Sequence, residues 1–334
     1  MSQSEAAVEV AHDIFQVRLP LPFALNSVNC YLIRGSDGWT MLDTGLNYPP
    51  THAAWDAAFA ALGMTSRDIN QIILTHVHPD HFGMAGHFEA LAAEKGVTIP
   101  VCLSPREAEL SHLLWGGEGQ QAHSFDQFLA ACGMPAHMLD TVITSLDATT
   151  AMTRPNPKHL ETLHPDEHIV IGKRDFTIIH APGHSDGQLI FYDAADHLLL
   201  SGDHVLMKIT PNIGLWPDTE PDPLGRFLDS LTALQALEVR LALPGHKVLI
   251  TDWQGRLAEL IHHHQARLEH TLAAIEGGAT VYEASLKVFN SSTFSSHEWR
   301  FAMVETLSHL EYLRLHGQIK QTMNDNGIRH FYKT

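Results

Sequence analysis

Four short apolar segments each end in a turn that delivers a histidine or an aspartate. Ile72-Ile73-Leu74 runs into His76, His78, Asp80 and His81, and Phe176–Ile179 into Pro182-Gly183-His184. Leu198–Leu200 leads to Ser201-Gly202-Asp203, and Leu241–Leu243 to Pro244-Gly245-His246. Imidazole nitrogen and carboxylate oxygen are donors that zinc takes, and a catalytic site keeps one coordination position open for water. Five histidines and two aspartates are too many for one tetrahedral ion. They match two ions sharing a bridging carboxylate, which is a hydrolytic arrangement. On an extended backbone His76 and His78 share a face, and the bend at Pro79 turns Asp80 and His81 toward the same cleft.

For these side chains to meet, the segments before them must be strands whose ends lie side by side in a sheet. The chain reads that way. Residues 1–45 are β-rich, with an apolar run from Val28 to Arg34, a second from Trp39, and a turn at Asp43-Thr44-Gly45. Ala54, Trp55, Ala58, Phe59 and Leu62 recur at helical spacing before Gly63. Helices are expected at 84–95, 105–115, 125–131 and 227–237, and strands at 97–103, 168–171, 176–180, 189–193, 198–201 and 241–243. Residues 104–165 break the strand rhythm as a mostly helical insertion with loops at 116–119 and 153–157, and such insertions decorate a site more often than they build a core. From about 255 the pattern becomes helix, helix, helix, then a hairpin around Asp325-Asn326-Gly327, the outline of a winged helix. Two domains follow, 1–254 and 255–334.

Composition narrows the function. The 334 residues carry 21 Lys and Arg against 38 Asp and Glu, a net charge of −17, with 25 histidines. An acidic surface repels phosphate backbones, which argues against nucleic acid as a partner. Residues 260–334 carry seven basic and seven acidic side chains, so the helical tail lacks the basic charge of a DNA reader and suits a cap or a homodimer surface. Three cysteines, Cys30, Cys102 and Cys132, form no CxxC and no disulfide framework. No basic and apolar leader opens the sequence and no stretch of 18 apolar residues occurs, so a cytoplasmic protein off the membrane is expected.

Taken together, His76-x-His78-x-Asp80-His81, His184, Asp203 and His246 resemble the ligand set of the metallo-β-lactamase fold superfamily, with a glyoxalase II-like dinuclear site. Val28-Asn29-Cys30-Tyr31-Leu32 and Asp43-Thr44-Gly45 resemble its N-terminal strands. The resemblance spans roughly 12–250 and implies an α/β fold, an αββα sandwich of two mixed sheets. It also implies that His76, His78 and His184 bind one divalent ion and Asp80, His81 and His246 another, with Asp203 bridging. Zinc is the first expectation for the pair, iron or manganese the alternatives. The tail is similar to the winged-helix-like domain of one subgroup.

Other residues divide between site and scaffold. Asp43 either holds a ligand imidazole or is a turn aspartate before Gly45. His180 and His204 read as packing or supporting residues, His262-His263-His264 as a solvated helix face, and the cysteines as core. Trp115, Trp216 and Tyr192 could line a substrate cleft, although aromatics in a chain of this size are more often core or cap packing. The expected reaction is attack of a metal-bridging hydroxide on a small ester, thioester or lactone carbonyl, with Asp80 orienting the nucleophile and passing its proton to the leaving group. A phosphodiesterase or ribonuclease, a mononuclear iron sulfur dioxygenase and a non-catalytic metal-stabilised binding protein are the competing classes. The missing export signal argues against β-lactam hydrolysis.

Overall fold

The structure, a computed structural model, describes residues 6–116 and 120–334. Residues 1–5 of the leader reading and 117–119 of the expected glycine loop lie outside the described residues. Seven strands, β1 (Val8–Ala11), β2 (Ile14–Pro20), β3 (Ser27–Arg34), β4 (Trp39–Leu42), β5 (Ile69–Ile73), β6 (Val101–Leu103) and β7 (Leu160–Thr162), form the first sheet in sequence order. Antiparallel pairing carries it from β1 to β4, and parallel pairing from β4 to β7. The second sheet has five strands, β8 (His168–Ile171), β9 (Arg174–His180), β10 (Leu189–Asp193), β11 (Leu198–Gly202) and β12 (Leu241–Pro244). They are antiparallel except for the parallel β11–β12 pair.

Alternation along the strands makes the sandwich. Ile14, Tyr31, Ile33, Leu42, Ile73 and Cys102 face inward from the first sheet and meet Phe176, Ile178, Leu189, Phe191, Leu198, Leu200 and Leu243 from the second. A strand buried on both faces has no polar row, and β11 is buried at all five positions. Outside the first sheet pack α1 (Pro49–Leu62), the single turn α2 (Pro79–Phe82), α3 (Ala85–Ala93) and α4 (Pro105–Trp115). Pro49 fits the first turn of α1, where its missing N–H is no loss, and Gly63 ends the helix at φ 64°, a left-handed geometry that glycine adopts freely.

Further along lie α5 (Gln120–Ala131), α6 (Ala136–Ala151), α7 (Pro223–Leu234), α8 (Trp253–Ala274), α9 (Val281–Val288) and α10 (Ser296–Leu315), then the hairpin of β13 (Ile319–Met323) and β14 (Arg329–Lys333). The three helices and hairpin of the tail appear in the expected order. Helix α8 is continuous across residue 255. Its first half (Trp253, Leu257, Leu260) packs with α7 against the second sheet, and its end (Ala274, Ile275) joins the tail. No helix among the described residues is long and apolar enough to cross a membrane.

Two expectations about the insertion are corrected. Residues 104–165 are not all decoration, because β7 returns to pair with β6 and widens the main sheet. Helices α5 and α6 do build a core, in which Phe125, Leu129, Cys132, Met134 and Val142 pack with Val281, Met303, Leu307 and Phe331 of the tail. A third correction concerns His264. It is fully buried in α8, with its Nδ1 3.2 Å from His309 Nε2, whereas the other two of the triplet retain solvent contact. Consecutive helical residues point about 100° apart, so a triplet cannot share one environment.

Candidate metal centre

The four strand ends do converge, but from two sheets rather than one. β5 brings Thr75 to His81 from the first sheet, while β9, β11 and β12 bring His184, Asp203 and His246 from the second. The layers are tied at this edge, where Leu189 N–H donates to Thr75 O (3.0 Å) and Asn29 N–H to Gly245 O (2.6 Å). The asparagine and tyrosine of β3 hold the last turn. Asn29 Nδ2 donates to Pro244 O (3.0 Å) and Lys247 O (3.2 Å), and the Tyr31 hydroxyl to Pro244 O (2.7 Å). Thr44 steadies α2 by donating both N–H (2.7 Å) and Oγ1 (2.8 Å) to His81 O.

All seven sequence-predicted side chains meet in one cluster. Nε2 of His76 and Nε2 of His184 lie 3.0 and 2.9 Å from His78 Nδ1. His81 and His246 point Nε2 at Asp203 Oδ2 from 3.4 and 3.1 Å, and His246 Nε2 is 3.3 Å from Asp80 Oδ2. Asp203 Oδ2 is also 3.6 Å from His184 Nε2. This oxygen therefore faces both histidine groups. Ligand atoms of His76, His78 and His184, and of Asp80, His81 and His246, form two sets each compact enough to hold one ion, and Asp203 joins a third set with His76 and His81.

The outward nitrogens fix which lone pair faces in. Nδ1 of His184 donates to Asn212 O (2.8 Å) and Nδ1 of His246 to Ser27 O (2.8 Å). His81 Nδ1 donates to Asp43 Oδ2 (2.8 Å), and Thr75 Oγ1, which itself donates to Asp43 Oδ2 (2.9 Å), accepts from His76 Nδ1 (2.9 Å). With the proton held on Nδ1, Nε2 is the atom each of these four rings turns to the centre. Asp43 is thus the carboxylate behind His81, buried and also accepting from Thr75 N–H (2.8 Å).

Charge and space fit a pair of cations. Burial, reinforced by neighbouring imidazoles, holds His76 well below the usual histidine range and His78 down to about 3; burial also lowers His184. These rings are neutral and ready to ligate. For His81 and His246 burial also pulls down, but Asp203 and its neighbouring carboxylates outweigh it and raise both, His246 to about 10. Burial disfavours charge on Asp80 and Asp203, yet His81 and His246 hold both below the ordinary carboxylate range. His81 Nε2 and Asp203 Oδ1 are buried without a hydrogen-bond partner, a costly state that a cation relieves. Gly245 leaves the room, since a Cβ there would sit 2.2 Å from Asp203 Oδ1 and 2.7 Å from His81 Cε1.

The model of the Metallo-beta-lactamase superfamily matches residues 24–246, and that of the metallo-beta-lactamase-like C-terminal domain matches 268–334. The chain belongs to the metallo-β-lactamase superfamily. This places it among metal-dependent hydrolases. It is 32% identical to the metallo-beta-lactamase family protein TTHA1429 of Thermus thermophilus, whose crystal structure superposes with a TM-score of 0.86 over 97% of this chain and 100% of that one. A beta-lactamase domain protein from Burkholderia ambifaria is 25% identical, also at TM-score 0.86, over 98% and 94% of the two chains. In Bacillus subtilis, the probable metallo-hydrolase YqjP is 25% identical over 96% of this chain and 98% of its own.

Around this superfamily centre the remaining histidines and tryptophans sort out. His180 is exposed and its Nε2 donates to Asp186 O (2.8 Å), while His204 is buried beside Ser230 Oγ (3.0 Å) and Phe227, so both stay outside the cluster. Trp115 and Trp216 line a cavity of about 400 Å³ that opens onto His78, Asp80, His184, Asp203 and His246, the cleft position rather than packing alone. Tyr192 is not at the cavity; its hydroxyl donates to Glu238 O (2.7 Å).

Sequence reasoning missed Glu107. Fully buried on α4, it accepts from Val77 N–H (2.7 Å), Ser185 Oγ (2.6 Å) and Gly187 N–H (2.8 Å), and so ties the His76–His78 segment to the loop of His184. Burial raises its carboxyl to about 7. The available signal misleads. Ser104-Pro-Arg-Glu107 has the spacing of a capping box, and Ser104 Oγ does accept from Glu107 N–H (3.1 Å), but the carboxylate turns to the ligand loops instead.

Proposed function

We propose that this chain hydrolyses a small ester, thioester or lactone at a two-cation centre. His76, His78 and His184 hold one cation, Asp80, His81 and His246 the other, and Asp203 lies between them. The observation that carries the reading is Asp203 Oδ2, within 3.6 Å of imidazole nitrogens from both groups at the floor of the cavity. Imidazole and carboxylate donors in closed, buried sets favour zinc, with iron and manganese accepting the same donors. When bound, such a pair supplies Lewis-acid polarisation and lowers the pKa of water to about 7.

The chain's own groups do the rest. Asp80 keeps 19% of its side chain exposed, against 7% for Asp203, and lines the cavity. It is the carboxylate placed to take the proton of the attacking water and pass it to the departing alcohol or thiol as the acyl C–O or C–S bond breaks. Leu21, Leu110, Leu114, Trp115 and Trp216 give the cavity apolar walls, which fit an acyl group and keep bulk water from the carbonyl. The net charge of −17 and these walls weigh against an RNA substrate. The buried free cysteines Cys30, Cys102 and Cys132 suit a reducing cytoplasm.

The test is a hydrolysis screen over thioesters, lactones, esters, β-lactams and single-stranded RNA, with and without chelator. Turnover of a carbonyl substrate that chelation abolishes and added zinc restores is expected. RNA cleavage that weakens steeply with salt, or oxygen uptake with a persulfide, overturns the carbonyl reading.

A further inference from the structure

The tail reaches the cavity through one helix, α10, which contributes His297, Glu298, Arg300 and Phe301 to its wall, the Glu298 carboxylate being taken up by Ser295 N–H and Oγ. Arg300 is 4% exposed, and its Nε is buried with no hydrogen-bond partner. Its contacts are with aromatic and neutral groups. Nη2 donates to His297 Nδ1 (3.3 Å), and the guanidinium carbon lies 5.0 Å from the Phe301 ring centre and 5.9 Å from that of Trp216. Burial lowers His297 to about 4, so that ring is neutral and accepts.

Other arginines of the chain show what a settled guanidinium looks like here. Arg256, also buried, donates to Leu206 O, Ile209 O and Glu259. Arg106 and Arg226 share Asp186, and Arg174 holds Asp193 and Asp196. Arg300 has no carboxylate partner among the described residues. It is also the sole arginine or lysine among the described residues lining the cavity. Burial brings it down to about 10, so it keeps its charge at neutral pH. A buried cation without a counter-ion is unfavourable, and its fork of donors matches planar oxyanions in a bidentate way.

We propose that Arg300 is the anion-recognising residue of the cavity, so that the substrate is an ester, thioester or lactone carrying an oxyanionic group, a carboxylate or a phosphate, away from the scissile bond. His297 places this site beside the reaction. Its ring lines the same cavity as Asp80 and stacks on Phe23 (centroids 4.2 Å apart), while its Nδ1 accepts from Arg300. The tail therefore selects substrates as well as covering the site. This inference rests on the hydrolase reading for the words ester, thioester and lactone, but not for the anion.

The test uses metal-loaded wild type, Arg300→Met and Arg300→Lys. Mono-p-nitrophenyl glutarate is compared with p-nitrophenyl butyrate. The ratio of their kcat/KM values is expected to fall roughly 10- to 100-fold in Arg300→Met, mainly through KM, with partial recovery in Arg300→Lys. Glutarate and inorganic phosphate are also titrated calorimetrically into wild type and Arg300→Met. The anion whose affinity falls identifies the carboxylate or phosphate arm. The melting temperature of Arg300→Met is expected to stay level or rise, because an unpaired buried charge is gone. An unchanged ratio with unchanged anion affinities overturns the proposal, as does a lower melting temperature with both esters affected alike. Failure to turn over either ester, with anion affinity still lost in Arg300→Met, counts against the ester as the substrate class and supports the anion site.

Discussion

Asp43→Asn separates the two halves of the centre. The aspartate is 2% exposed, and one oxygen accepts the Nδ1 proton of His81 at 2.8 Å while both oxygens meet Thr75. Asparagine keeps the size and can still accept from Thr75 N–H through its oxygen. Its amide nitrogen then faces His81 Nδ1, donor against donor. The relief is for His81 to move its proton to Nε2, the nitrogen aimed at Asp203, which removes the lone pair a cation needs. Loss of such a partner behind a metal ligand costs about 10- to 100-fold in affinity, or about 1.4–2.7 kcal/mol. Of the two three-residue sets, only Asp80–His81–His246 depends on His81 in this way; His184 keeps Asn212 O, and His76 keeps Thr75 Oγ1, whose hydroxyl can still donate to the retained oxygen of residue 43 (3.2 Å to Oδ1). Competition with a chromophoric zinc chelator should therefore show one site as in wild type and one weakened 10- to 100-fold. Equal weakening of both sites, or of neither, would refute the assignment of Asp43 to His81 and of His81 to one cation alone.

Other perturbations test the scaffold and the chemistry. Glu107→Ala strands three buried donors, at Val77, Ser185 and Gly187, and should cost about 3 kcal/mol or more; a thermal melt that superposes on wild type would contradict its role as the tie between ligand loops. Gly245→Ala drives a methyl within 2.2 Å of Asp203 Oδ1, so zinc content after dialysis should fall while the far-ultraviolet dichroism stays native, and full retention of metal would show that the cluster has slack. Asp80→Asn should lower kcat by about 10²- to 10⁴-fold on the carbonyl substrate found in the screen, and turnover within a few fold of wild type would remove Asp80 from proton transfer.

The sequence carried the seven chemistry-bearing residues because each follows a short apolar strand, and a glycine- or proline-shaped turn at a strand end exposes the next side chain. It did not carry the division of those strands between two sheets: a buried strand reads as apolar whichever sheet it joins. Helix periodicity found α4 at its observed bounds and the end of α1 before Gly63. β7 was missed because Leu160–Thr162 is only three residues long and bounded by loop-like sequence. Glu107, His297 and Arg300 act across long sequence separations from helix positions that ordinarily carry solvated charge. Nothing in Glu298-Trp299-Arg300 or Ser104-Pro-Arg-Glu107 distinguishes a buried, functional charge from a cap or surface residue. His264 escaped for the related reason that a run of identical residues conceals which one faces inward.

Crystals of the protein grown with zinc, measured at the zinc absorption edge, address the two-cation centre directly. The expected result is two anomalous peaks, one among His76 Nε2, His78 Nδ1 and His184 Nε2 and one among Asp80, His81 Nε2 and His246 Nε2, with Asp203 between them. A single peak, or none within reach of these seven side chains, would contradict it.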